Sequence, residues 1–222
     1  MQTALAIALS AAFILGVEHA FEPDHVVAVS TMAARSKRIS MSLLTGWLWG
    51  LGHMATLLIA GILVLLLRVQ FPMAVSGYFE SIVGVMLILL GIWTVNKLRR
   101  EKFHFHVHTH DGNTHTHLHS HAEGPAHDHA HVPFSVGIVH GLAGSGALVV
   151  LTMSTMANAI DGVLFIAFFG IGLIFAMSLI ASALSLPSIF GGRVSSFIKP
   201  VFSAGAGLVS IVLGVVIVSG FY

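Results

Sequence analysis

The chain has 222 residues, 56% hydrophobic and only 9% charged, with a mean hydropathy of +0.93 and a formal charge of +1. A soluble domain carries roughly a quarter charged residues, so this composition excludes one and reads as an integral membrane protein. There is no cysteine, which removes disulfides, thiolate metal sites and cysteine nucleophiles together.

A membrane span needs about 20 apolar residues. Six stretches supply them: 3–33, 40–67, 75–96, 134–157, 162–186 and 200–220. Residues 1–20 resemble the core of a signal peptide, but no basic residue precedes them, so they read as a retained helix. Basic residues are unevenly placed. Arg35, Lys37 and Arg38 follow the first span, Lys97, Arg99, Arg100 and Lys102 the third, and Arg193 and Lys199 the fifth; only Arg68 lies in a loop of the other parity. Positive residues favour the cytoplasmic side, which predicts both termini outside and the 98–132 insertion inside.

The two halves echo one another. Gly16 to His19 (GVEH) resembles Gly137 to His140 (GIVH), and Val26 to Ala33 resembles Val149 to Ala157. With the first span running inward and the fourth outward, the expected fold is all-α: six transmembrane helices forming two inverted three-helix repeats. The halves are 1–97 and 133–222, joined by a histidine-rich, disordered cytoplasmic loop at 98–132. Such repeats place a binding site at their interface near the midplane.

That site is expected in the first span, where Glu18, His19, Glu22, Asp24 and His25 interrupt apolar sequence. One ionised carboxylate at mid-bilayer costs roughly 2.5–3.5 kcal/mol on insertion scales, so a group of this size needs a use, and a divalent cation neutralises it. On a straight helix Asp24 and His25 would lie about 140° and 240° round from His19, while Glu18, Glu22 and His25 would share a face. Pro23 forbids a straight helix, since it lacks an N–H and clashes with the carbonyl of His19. A break there brings His19, Asp24 and His25 inward and exposes backbone carbonyls as further ligands. Without an ion, the alternative is a proline kink whose polar groups bond neighbouring helices.

The fifteen histidines form two populations. His19, His25, His53 and His140 lie in predicted spans, and His53 and His140 join the candidate ligands; hydrogen bonding between helices is the competing role. Imidazole with carboxylate suits nickel, cobalt, zinc or copper(II), and the absence of cysteine speaks against copper(I). The other eleven (His104, His106, His108, His110, His115, His117, His119, His121, His127, His129 and His131) alternate along the cytoplasmic insertion. This is a low-complexity, compositionally metal-binding tract, suited to buffering, sensing or delivering metal, with a hydrophilic linker as the alternative.

Other polar and sulfur-bearing residues carry less. Glu80 and Asp161 fit solvated helix ends, and Ser145, Thr152, Ser154 and Thr155 fit hydroxyls bonded to their own backbone. Trp47, Trp49 and Trp93 fit interface anchors or packing residues. Met54, Met153 and Met156 fit filler. No phosphate-binding loop, Ser/His/Asp arrangement or H-E-x-x-H motif is present, and no basic nucleic-acid surface.

His19, Asp24 and His25 match the H-x-x-x-x-D-H signature of the nickel/cobalt permease superfamily. The surrounding HAFEPDHVVAVST (His19 to Thr31) resembles its UreH-like branch. Trp49 to His53 (WGLGH) and Gly137 to Gly146 (GIVHGLAGSG) resemble two further motifs of that family. The resemblance implies a secondary transporter moving Ni²⁺ or Co²⁺ across the cytoplasmic membrane as substrate, with no cofactor. A metallochaperone or a urease or hydrogenase maturation system would be its cytoplasmic partner. Larger members have about eight helices against six here. Family efflux members carry Gly in place of Asp24, so Asp24 favours uptake, whereas the histidine tract fits efflux. Other readings are a zinc transporter, which the carboxylate-free fourth helix disfavours, an intramembrane metal-dependent enzyme with Glu18 or Glu22 as base, and a metal sensor.

Overall fold

The computed structural model describes residues 2–34, 36, 38–67, 73–100, 103–110, 113–120, 131–141, 152, 158–190 and 195–220. Among these it is helical apart from one hairpin. The elements in chain order are α1 (Gln2–His19), α2 (Pro23–Ala33), α3 (Ile39–Leu67), α4 (Met73–Arg100), β1 (Phe103–His110), β2 (Asn113–Ser120), α5 (His131–His140), α6 (Ala159–Phe190) and α7 (Ser195–Ser219).

Among the described residues four helices are long and apolar enough to cross a bilayer, over Ile39–Val64, Gly77–Arg99, Ala159–Phe190 and Lys199–Ser219. The bent pair α1 and α2 makes a fifth when taken as one broken span. Of the expected fourth span, 134–157, the first part is described, as α5 and Gly141, and then Thr152 alone; Ser145, Met153, Ser154, Thr155, Met156 and the rest of the repeated segment 149–157 lie outside the described residues. This is a multi-pass, essentially all-α membrane protein.

Large apolar side chains remain exposed along α1, α3, α4, α6 and α7, among them Ile7, Ile59, Leu89, Phe175 and Val212. In lipid such faces have no reason to hide, because hydrocarbon tails are as apolar as the side chains. Association then depends on close packing, and small residues govern it. A Cβ on Gly16 would overlap the carbonyl of Phe169 in α6, and one on Gly172 the carbonyl of Phe13 in α1. The α3–α5 seam repeats this: a Cβ on Gly52 would strike the carbonyl of Phe134, and one on Gly137 that of Trp49. Along α4 and α7, Gly84 faces Gly214 and Gly91 faces Gly207. Hydroxyls tie the seams further: Thr56 Oγ1 donates to the Ile138 carbonyl at 3.0 Å, and Ser210 Oγ to that of Leu87 at 2.7 Å. Thr45, Thr94, Ser178 and Ser182 instead bond the carbonyl four residues back on their own helix.

The expected disordered loop is corrected over 103–120, where the backbone forms an antiparallel hairpin. His104 pairs with His119, His106 with His117 and His108 with His115. Alternation with Phe, Val, Thr and Leu is a strand period, and Asp111-Gly112 is a two-residue hairpin signal. His131 belongs to α5 rather than to the tract. His121, His127 and His129 lie outside the described residues.

Candidate metal centre

Pro23 acts as a start signal rather than a kink. It is the first residue of α2, where its missing N–H costs nothing, and α1 ends at His19. The three residues between turn the chain through 61°. Phe21 N–H donates to the Glu18 carbonyl at 2.9 Å and Glu22 N–H to that of His19 at 3.1 Å; His25 and Val26 N–H both donate to that of Glu22. The carbonyls of Glu18, His19 and Glu22 are therefore engaged by N–H groups of the turn and of the first turn of α2.

The break gathers side chains that a straight helix would scatter. His25 Nε2 lies 3.0 Å from His19 Nε2, which lies 3.2 Å from Nε2 of His53 on α3. His19, His25, His53 and His140 are all buried. Each of the two motif histidines is oriented from behind: His19 Nδ1 sits 2.9 Å from Glu22 Oε1, and His25 Nδ1 sits 2.8 Å from Asp24 Oδ1. A neutral imidazole has one N–H. With that hydrogen donated to a carboxylate, both Nε2 atoms present bare lone pairs to each other. Two acceptors at 3.0 Å repel unless a cation lies between them. Nitrogens bound about 2.1 Å from one ion sit about 3.0 Å apart at right angles and about 3.4 Å apart at the tetrahedral angle. The observed spacings fall in that range.

The other carboxylate oxygen reaches the second half of the chain: Asp24 Oδ2 accepts from His140 Nε2 on α5 at 2.9 Å. Two groups of potential ligands result, His19 with His25 and His53, and Asp24 with His25 and His140. Asp24 and Glu22 carry two negative charges, and four neutral imidazoles add none, so a single divalent ion neutralises the centre. Carboxylate–histidine–metal arrangements of this type fix the tautomer and raise the basicity of the ligand.

Two expected residues change role. Glu18 is exposed and stands outside both groups, because the chain turns away one residue later and the straight-helix face it shared with Glu22 and His25 does not exist. Glu22 orients His19 rather than joining the ligand atoms. Sequence reasoning missed Trp49, which is fully buried with its ring 4.9 Å from that of His25 and 5.2 Å from that of His53. Its position four residues before His53 on one helical face was the available signal. Phe169 closes another side, 5.3 Å from the His19 ring. Trp47 and Trp93 are exposed, the latter beneath Lys97. Met54 packs on Gly170. Asp161 is a helix-end residue, its N–H donating to Asn158 Oδ1 at 2.9 Å.

A family profile described as cytochrome C biogenesis protein transmembrane region matches residues 25–216, so the helical body belongs to that family. The urease accessory protein UreH of Bacillus sp. (strain TB-90) is 37% identical over 211 residues, 93% of this chain and 88% of that protein. The chain is a UreH-like member of the nickel/cobalt permease superfamily. A putative nickel/cobalt efflux system of Methanocaldococcus jannaschii is 30% identical over 78% of the UreH-like chain and 73% of its own length. The chloroplast protein FOR GROWTH AND FERTILITY 2 of Arabidopsis thaliana is 28% identical over 74% of the chain but only 43% of that protein. No solved structure matches. Lacking cysteine, this UreH-like chain cannot perform thiol–disulfide or thiolate chemistry, whatever its wider family does.

Proposed function

We propose that the centre is the transit site of Ni²⁺ or Co²⁺ in a secondary transporter working in the direction of uptake, not an enzyme. The observation that carries this is the convergence of three Nε2 atoms, from His19, His25 and His53, two of them held by carboxylates on their far nitrogens. Nickel and cobalt follow from the nitrogen-rich donors and from the kinship with a putative nickel/cobalt efflux system. Export is the competing direction, supported by that same relative. Kinship with a urease accessory protein supports delivery to a urease maturation system in the cytoplasm.

The same reading takes six spans as two inverted repeats, with termini outside and the histidine hairpin inside. The glycine seams support it. Shifting Gly16 and Gly172 by about one half-chain gives Gly137 and Gly52, and each pair meets its partner helix at equivalent atoms. Gly50 against Ile174 and Gly170 against Met54 repeat the relation. Under it His19 corresponds to His140, so the ion would sit between the halves as they rock.

Three results are expected. Glu22→Gln leaves His19 in place but weakens its orientation, so apparent Ni²⁺ affinity falls about 10–100-fold; an unchanged affinity in titrated proteoliposomes contradicts the role given to Glu22. Protons compete for imidazole lone pairs, so flux at clamped membrane potential declines on acidification once the ligand histidines are protonated. Flux that rises on acidification contradicts the imidazole site. Removing residues 103–130 leaves flux in place with altered affinity if the hairpin buffers metal; complete loss would favour a sensor. The function itself is tested by radiolabelled Ni²⁺, Co²⁺ and Zn²⁺ flux in vesicles, where His19→Ala and Asp24→Ala abolish nickel movement without loss of protein from the membrane.

A further inference from the structure

The two ligand groups share one residue, and a single ring limits how they can be used. His25 faces His19 and His53 through Nε2 and faces Asp24 through Nδ1, one imidazole apart. As a neutral ring it has one lone pair to give. An ion held by Nε2 needs the proton on Nδ1, where Asp24 accepts it. An ion held by Nδ1, Asp24 and His140 Nε2 needs the His25 proton on Nε2, where His19 accepts it.

We propose that the centre holds one ion in either of two alternative positions, an inner one at His19, His25 and His53 and an outer one at Asp24, His25 and His140. Transit is then a step between them across the His25 ring. This rests on the transport reading above and adds the sequence of ligands to it. The step balances. His25 gives up a proton at one nitrogen and takes one at the other, and His140 gives up its Nε2 proton and takes one at Nδ1, a buried atom with no hydrogen-bond partner in the described residues, with water as the proton carrier in both exchanges. No net proton is taken up by either ring, and the ion has three donors in either position. Filling both positions at once would require the His25 imidazolate. The two positions also draw on different helices. The inner one joins α1 and α2 to α3, all in the first half of the chain, and the outer one joins α2 to α5, so the step moves the ion to a position that the second half shares through His140.

The test is Co²⁺ binding to the full chain in lipid nanodiscs, comparing wild type, His53→Leu, His140→Leu and the double variant. All four carry the same histidine tract, which cancels in the differences. Wild type is expected to bind one more Co²⁺ than the double variant, and each single variant also one more. The ligand-field spectra of the single variants differ, three nitrogens in His140→Leu against nitrogen and oxygen in His53→Leu. Flux is expected to fall at least about 10-fold in both. A wild-type difference of two ions overturns mutual exclusion. A single variant that binds none, confirmed in the smaller change to Gln, or one that transports at the wild-type rate, overturns the two-position step. A wild type that neither exceeds the double variant nor carries Co²⁺ refutes the transport reading itself and the step with it.

Discussion

Replacing His25 with alanine is expected to lower Ni²⁺ accumulation at least about 100-fold, because losing even the outer partner of a ligating histidine costs up to that much. Among the described residues no other contributes to both ligand groups. Its Nε2 is 3.0 Å from His19 and its Nδ1 2.8 Å from Asp24, and the side chain is fully buried. The alanine variant also leaves Asp24 without one hydrogen bond and opens space beside Trp49, so some loss of stability accompanies it. His25→Gln separates the two effects: it preserves bulk and a donor for Asp24 but removes the aromatic nitrogen pair. Equal membrane abundance with equal loss of accumulation in both variants identifies a ligand. Accumulation retained in the glutamine variant would make His25 a packing residue.

Gly137→Val is expected to destroy the α3–α5 seam. A Cβ there would overlap the Trp49 carbonyl oxygen and lie 3.1 Å from the His53 nitrogen. Both obstacles are backbone, so no rotamer change relieves them, and one helix must move. Overpacking of this type costs about 1–3 kcal/mol in cores and occasionally more, and valine at a backbone contact belongs at the upper end. Because α5 carries His140 while α3 carries Trp49 and His53, the shift also separates the outer donors from Asp24. Thermal unfolding of the purified variant should begin well below wild type, with nickel binding lost even in the fraction that remains folded. Gly205→Ala provides the contrast. Nothing lies within 4 Å of its added methyl, and alanine favours a helix over glycine by up to about 1 kcal/mol. A Gly137 variant as stable as the Gly205 one would show that the helices do not approach as described.

The break in the first span was legible because proline and ionisable groups inside an apolar stretch have few uses: α1 ends at His19 and α2 starts at Pro23, with His25 shared between a group that holds His19 and one that holds Asp24. The roles of the two glutamates were not legible. They depend on the path of the three turn residues, which places Glu22 against His19 and leaves Glu18 exposed. Trp49 was hidden for a similar reason. Interface anchoring and packing fit a tryptophan of the span equally well until the neighbouring helix is placed. The helix partners of the glycines were not legible, since only the tertiary arrangement brings Gly52 and Gly137 to one seam across 85 positions of sequence. The hairpin was misjudged because histidine composition was weighed above the period-two alternation and the Asp-Gly dipeptide in the sequence between the two runs.

The most direct measurement is radiolabelled Ni²⁺ flux through the full chain in proteoliposomes of defined orientation, beside His19→Ala and His25→Ala at equal protein density. Saturable Ni²⁺ and Co²⁺ flux in the wild type, absent in both variants and not supported by Mg²⁺ or Ca²⁺, is the expected result. Wild-type flux no greater than that of protein-free vesicles, or flux unchanged by the substitutions, would contradict a transition-metal pathway through the broken helix.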